Sequence, residues 1–397
     1  MNNYIFTSKT RNICFVLIAI GVISIVGGFI ADSHRVWPSL LLNSFYFMAI
    51  ALGALFFMAV QYAAEAGWSA VVKRPMEAVA SYLPVGAAFM AIVTILSALH
   101  FNHIYHWADP EVTDASLNHG HHYDEIIAGK SSFLNAPFFI IRTLVYLGGW
   151  ILFLRAFMKK SQMEEQNLDV SNWKNSQSLA AWFLVFFAVT SSTSAWDWIM
   201  SIDTHWFSTL FGWYTFAGFF VSALTMITLV TLHLKNQGLL PEVNDNHIHD
   251  LGKFMFAFSI FWTYLWTSQY LLIWYSNIPE EVTYYMDRFK NYKFIFILNL
   301  FLNFFFPFLV LMKRGNKRNF NLLFFVGIVI LIGHWSDNFV MIMPGTMKEH
   351  WHLGWIEIGT MLGFLGLFLF VVLRKLASRP VSNTNHVFYQ ESVHHHI

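Results

Sequence analysis

The sequence predicts an all-α, polytopic membrane protein of about ten transmembrane helices, on three observations. Hydrophobic residues make up 56% of the chain and charged residues only 12%, where a soluble domain carries about 25% charged. Apolar runs long enough to cross a bilayer recur along its whole length. The Lys and Arg residues between those runs fall mostly on one side. So little charge cannot cover a water-facing surface, but it suits a chain whose main solvent is lipid.

A span needs about 20 mostly apolar residues. Runs meeting that length lie at about 12–31, 39–64, 82–100, 134–157, 179–200, 208–234, 252–276, 293–312, 321–343 and 354–373. The first is read as a retained span, since no small-residue cleavage site follows it. Alternate loops divide the basic residues seventeen to six, the six being Arg35, Lys130, Arg288, Lys290, Lys293 and Lys348. The richer side is expected to be cytoplasmic, and an even number of spans puts both termini there. Residues 1–379 are read as one membrane domain, and 380–397 as a polar cytoplasmic tail. The tail is expected to be disordered and its His394, His395 and His396 solvated.

Composition removes several chemistries. A single cysteine, Cys14, rules out an internal disulfide, a Cys-ligated iron–sulfur cluster and a Cys zinc site. Covalent haem c is excluded because no Cys-x-x-Cys-His occurs. A net charge of +1 carries no footprint of nucleic acid. His100, His103, His106, His119, His121 and His122 crowd one outer loop, as ligands would. A di-iron or zinc site, however, wants ligands from several segments, so no metal is expected. His334 is the best-placed buried haem ligand but lacks a matching second histidine, so no redox centre is expected on this chain.

Ionisable groups inside a membrane are functional candidates by default. Arg142 lies in the fourth span. Asp197 closes the fifth, after a hydroxyl-rich run, and Gln269 sits in the seventh. His334 and Asp337 share a face of the ninth at i, i+3. Glu357 enters the tenth, and Asp203 and His205 occupy the turn after the fifth. These are expected in the outer half, with Glu65 and His233 as an inward relay near the cytoplasmic ends. The plain structural alternatives are an Arg142–Asp197 ion pair, a hydroxyl or amide against Asp337, and an interfacial salt bridge of Glu77 with Lys73 or Arg74.

Four segments in order carry a resemblance: Gly67–Glu77 (GWSAVVKRPME), Phe133–Arg142 (FLNAPFFIIR), Ser194–Tyr214 (SAWDWIMSIDTHWFSTLFGWY) and Ser268–Glu281 (SQYLLIWYSNIPEE). Together the chain resembles the ActF-type membrane subunit of bacterial alternative complex III, related to the NrfD and polysulfide-reductase membrane-anchor family. The resemblance implies two four-helix bundles, spans 2–5 and 6–9, flanked by one helix at each end. It also implies a place in a quinol:cytochrome c or quinol:oxidase oxidoreductase of the bacterial inner membrane. Partner subunits there would carry haem c and iron–sulfur clusters, and a homologous membrane subunit would bind quinol near the periplasmic face. This chain would supply a proton pathway. A quinone or menaquinone site at Asp197, Arg142 and Gln269 stays open. Thr204 stands where the family often has proline, and no internal repeat matches the two bundles. A stand-alone ion-coupled transporter is the competing reading, and it predicts Gly- or Pro-broken helices at mid-membrane.

Overall fold

The computed structural model describes residues 3–117, 121–166, 170–382 and 384–396. Among them there is no strand, and nine helices are long and apolar enough to cross a membrane. They are Ser8–Ala31, Ser33–Ala63, Gly67–Ala98, Ala136–Gln166, Val170–Ile202, Leu210–Asn236, Lys293–Leu311, Phe320–Met347 and Trp355–Leu376. A further long helix, Asp245–Ser276, runs 32 residues and takes seventh place in chain order, so that Trp355–Leu376 counts as the tenth span. Trp, Tyr, Ser, Thr and Gln make the seventh less apolar than the others. The fourth and fifth spans extend well past their apolar runs, to Gln166 and from Val170.

Spans 2, 3, 4 and 5 pack in a closed ring, and so do spans 6, 7, 8 and 9. The two bundles meet along spans 2 and 6, the two most deeply buried helices. Ser222, Thr225, Thr228 and Thr231 of the sixth span are fully buried. Each donates its hydroxyl to the carbonyl one turn back, at 2.7–2.8 Å. Such back-bonding keeps a polar residue satisfied in an apolar wall.

The first and tenth spans clasp each other outside the bundles along a seam of small residues. A Cβ added to Gly21 would overlap the Cα of Gly363, and one added to Gly359 would overlap Ser24. Lipid supplies no hydrophobic drive for helices to associate, so close backbone approach does that work.

Two prolines shape the second bundle. Pro307 has no N–H for the carbonyl of Asn303, and the eighth span widens to a π-turn over Phe301–Phe305. Pro344, inside the ninth span, likewise leaves the carbonyl of Val340 without its helical donor. The loop expected at 278–292 is instead a surface helix, Pro279–Asn291, and its Arg288 donates to that carbonyl at 3.2 Å.

The tail corrects the expectation of disorder. It crosses the face that carries the N-terminus and forms a short helix, Tyr389–Val393, against Gly67–Val72. Ser392 is buried and donates to the Trp68 carbonyl at 2.6 Å, and Ser382 and Tyr389 both donate to Glu242. His395, expected to be solvated, meets Asp250 at 2.7 Å. Its backbone carbonyl accepts from Asn244 and Asn246. The signal that misled is composition: polar side chains here bind a polar helix-end surface instead of water.

Two outcomes are expected. Gly363→Ile should force the first and tenth spans apart and lower the thermal midpoint in detergent by several degrees. Gly148→Ala, which faces open space, should leave it unchanged. The second concerns pH. Burial, with Lys73 nearby, pushes the His386 imidazole down to about 4. An undocked tail takes up that proton near pH 6.5, whereas the docked tail refuses it until about pH 4. Docking should therefore weaken as pH falls through that window, by about 3 kcal/mol at most. Limited proteolysis of the tail at pH 7 and pH 4.5 should show this, and His386→Gln should abolish the pH-dependent part.

Candidate functional site

Polar side chains gather at three places, two toward the face opposite the termini and one at the terminal face. In the first bundle, Arg142, Tyr146 and Trp150 recur every four residues and so share one face of the fourth span. Opposite them the fifth span offers Asp197 and Thr190. Arg142 grips Asp197 through two parallel hydrogen bonds of 2.8 Å, and Tyr146 donates to the same carboxylate at 2.9 Å. The remaining guanidinium donor reaches the Phe133 carbonyl at 3.0 Å, and the rings of Phe133 and Phe138 lie against the guanidinium. Trp150 and Trp198 close the site from below by donating to Thr190 and Thr143. Every polar atom of this cluster is spent on a partner.

The second bundle holds a different arrangement. Asp337, buried in the ninth span, accepts from the Tyr214 hydroxyl at 2.5 Å and the Trp262 indole at 3.0 Å. Among the described residues, no Lys or Arg pairs with it. Its one basic neighbour is His334, 4.0 Å away, near the middle of the same helix. His334 is fully buried, with the Trp262 ring edge-on to it, and neither ring nitrogen has a protein partner. The adjacent Gly333 admits Asn303 of the π-turn, where a Cβ would collide with the amide. Both side-chain atoms of Asn303, the Ser259 hydroxyl and the Asn338 oxygen also lack protein partners.

Above that core, toward the face opposite the termini, Arg288 is buried beneath the Tyr284 ring. It donates to the carbonyls of Tyr284, Val340 and Met341 and lies 3.4 Å from Asp203. Desolvation raises the Asp203 carboxyl above its usual range, and Arg288 opposes that rise. His205, in the same turn, pairs with Asp124 at 2.7 Å. Gln269 is buried with its side-chain oxygen unpartnered, beside a space of about 10 Å³ lined by Tyr214, Tyr284, Tyr285 and Arg288. That volume holds about one water.

At the terminal face the expected Glu77 salt bridge is part of a larger buried network. Arg74 pairs with Glu77 at 2.5 Å and also with Glu165, and Ser161 donates to Glu77. Lys73 pairs with Glu164 at 2.5 Å, and Tyr62 and Ser176 donate to that carboxylate. The proposed inward relay residues stand apart. Glu65 is exposed and holds Gln177, and His233 lines an apolar cleft between spans. Glu357 is bound by Arg35 through two hydrogen bonds of 3.0 and 2.6 Å and caps its own helix at Gly354. It thereby ties the tenth span to the second.

The structure thus joins Arg142 with Asp197, His334 with Asp337, and Asp203 with Arg288. It separates Asp197 from Gln269, which fall in different bundles. Sequence reading missed Tyr214, Trp262, Arg288, Arg35 and Glu164. Arg35 and Arg288 were counted as loop cations, and only three-dimensional placement reveals them as buried partners. At the outer face, His34 at the start of the second span stacks on His103 of the loop, and His100 meets His103 edge-on. His119 lies outside the described residues. Among those described, no three His, Cys, Asp or Glu side chains converge.

Breaking a buried ion pair from one side costs about 3–5 kcal/mol. Asp197→Ala should therefore destabilise the protein by that order in denaturant titration. The double variant Arg142→Met with Asp197→Leu should recover much of the loss. Comparison with protein-family models and with curated proteins finds no match to this chain.

Proposed function

We propose that this chain is the membrane subunit of a quinol-oxidising respiratory complex, contributing a proton pathway and no redox centre of its own. The observation that carries the reading is Asp337. It is a buried carboxyl held by two neutral donors, with no cation to fix its charge, beside a histidine with both nitrogens free of protein partners. A carboxylate clamped by guanidinium, as Asp197 is, has its charge matched inside the protein. One held only by a phenol and an indole can pass a proton on. Ser259, Asn303 and Asn338 continue the polar lining toward the bundle interior, and groups of this kind bind water in chains. Asp203 and His205 mark the entrance.

The resemblance to the ActF-type subunit supports the same reading. In it the basic face is cytoplasmic, the membrane is the bacterial inner membrane, and the haem c and iron–sulfur subunits dock on the opposite face. Quinol is assigned to the homologous membrane subunit. The space beside Gln269 admits a water but no quinone ring.

The π-turn of the eighth span at Asn303 favours a second reading, an ion-coupled transporter, because a mid-helix irregularity at a polar core suits ion binding. One experiment separates the two. Gentle purification from native membranes, followed by spectra and identification of what accompanies the chain, should return haem c and iron–sulfur partners. A lone, cofactor-free protein would sink the first reading and favour the second. Within the complex, Asp337→Asn should lower proton-coupled turnover about a hundredfold or more while assembly is unchanged. Loss of assembly instead would make Asp337 structural.

A further inference from the structure

The ninth and tenth spans, Phe320–Met347 and Trp355–Leu376, barely touch along their length, although each packs on the second span. Between them lies a cleft of about 510 Å³, floored by the second and sixth spans. That size is in the range of sites for small organic ligands. Its walls are almost wholly apolar, including Ile50, Val230, Ile328, Leu365 and Leu369. One end is marked by Thr10, His233, Phe324 and Leu373, each within a turn or so of the terminal-face end of its helix. The other end is marked by Tyr46, Trp335 and Met361. From Phe324 to Trp335 the helical rise is about 17 Å, close to half of a ~30 Å hydrocarbon core. The cleft therefore spans one leaflet.

The two ends differ in chemistry. At the deep end the only polar atoms are already spent: the Tyr46 hydroxyl on the Leu331 carbonyl at 2.7 Å, and the Trp335 indole on Asn43 at 2.9 Å. A polar ring would find no partner there, and a hydrocarbon tip needs none. The shallow end carries Thr10 and His233, and the exposed Lys9 and Arg11 flank Thr10. On the side of the ninth span, Ile328 and Ile332 are open to the surroundings, so a chain can enter sideways from the bilayer.

We infer that this cleft is a lipid site holding one acyl chain of an anionic phospholipid from the terminal-face leaflet, its phosphate at Lys9, Arg11 and Thr10. The site is independent of the proton pathway, which runs inside the second bundle. The bound chain completes the wall that the ninth and tenth spans leave open, and so joins the outer helix pair to the bundles.

The full-length protein in detergent, titrated with palmitoyl-oleoyl phosphatidylglycerol, the matching phosphatidylcholine or a menaquinone, tests this by native mass spectrometry. One phosphatidylglycerol should be retained per chain, about fivefold or more over phosphatidylcholine. Ile328→Trp, which fills the cleft from its open side without displacing a helix, should cut that retention about tenfold, as should Leu369→Trp. Lys9→Gln with Arg11→Gln should erase the headgroup preference and leave the chain bound. Equal retention in wild type and both Trp variants would overturn the assignment. So would menaquinone retained in preference to phosphatidylglycerol and lost on Ile328→Trp, which would give the cleft to a polyprenyl tail.

Discussion

A charge withdrawn from water must find its compensation inside the protein, and that constraint sorts the polar groups of this bundle. Arg142 holds Asp197, Arg35 holds Glu357, Lys73 holds Glu164 and Arg74 holds Glu77, each pair buried and most reinforced by hydroxyl or backbone donors. Arg288 shows the same rule applied to the main chain, since it occupies the carbonyl that Pro344 orphans. Such pairs fix helices in register at little net gain in stability. Against that background Asp337 stands out, because its partners compensate shape and hydrogen bonding but not charge.

Much of the architecture was legible in the sequence, because hydropathy over twenty residues is a strong signal and lipid permits few alternatives. All ten apolar runs are helices. Even the i, i+3 pairing of His334 with Asp337 followed from helical geometry alone. What escaped was whatever depends on a partner distant in sequence. Arg35 and Glu357 are 322 residues apart, and nothing local in either segment announces the other. Nothing local marks Tyr214 and Trp262, since most such residues in membrane proteins sit at the interfaces. Their polar ends turn inward only because Asp337 is there. The tail escaped for the opposite reason: its composition is that of a solvated segment, and its order comes from the surface it covers.

The two bundles are built alike but finished differently. The first pairs its outer charge, with the Arg142 guanidinium and the Trp150 and Trp198 indoles engaged, and its terminal-face end is sealed by ion pairs and by the tail. The second is irregular, with a π-turn, a proline in the ninth span and several amide and imidazole atoms free of protein partners. Irregularity inside a membrane costs stability, and it concentrates here around His334 and Asn303.

The clasp between the first and tenth spans also sets an order of events. The first span finds its main partner in the tenth, made long after it. Until then most of its surface faces lipid, as it largely still does in the finished protein, where only 22% of its apolar window is buried. The eight spans between can assemble before it, whereas this pairing joins segments more than 300 residues apart and closes only after the tenth span is made. A nascent chain truncated before Trp355 would thus keep both bundles and leave its first helix adrift in the bilayer, a ready mark for membrane quality control.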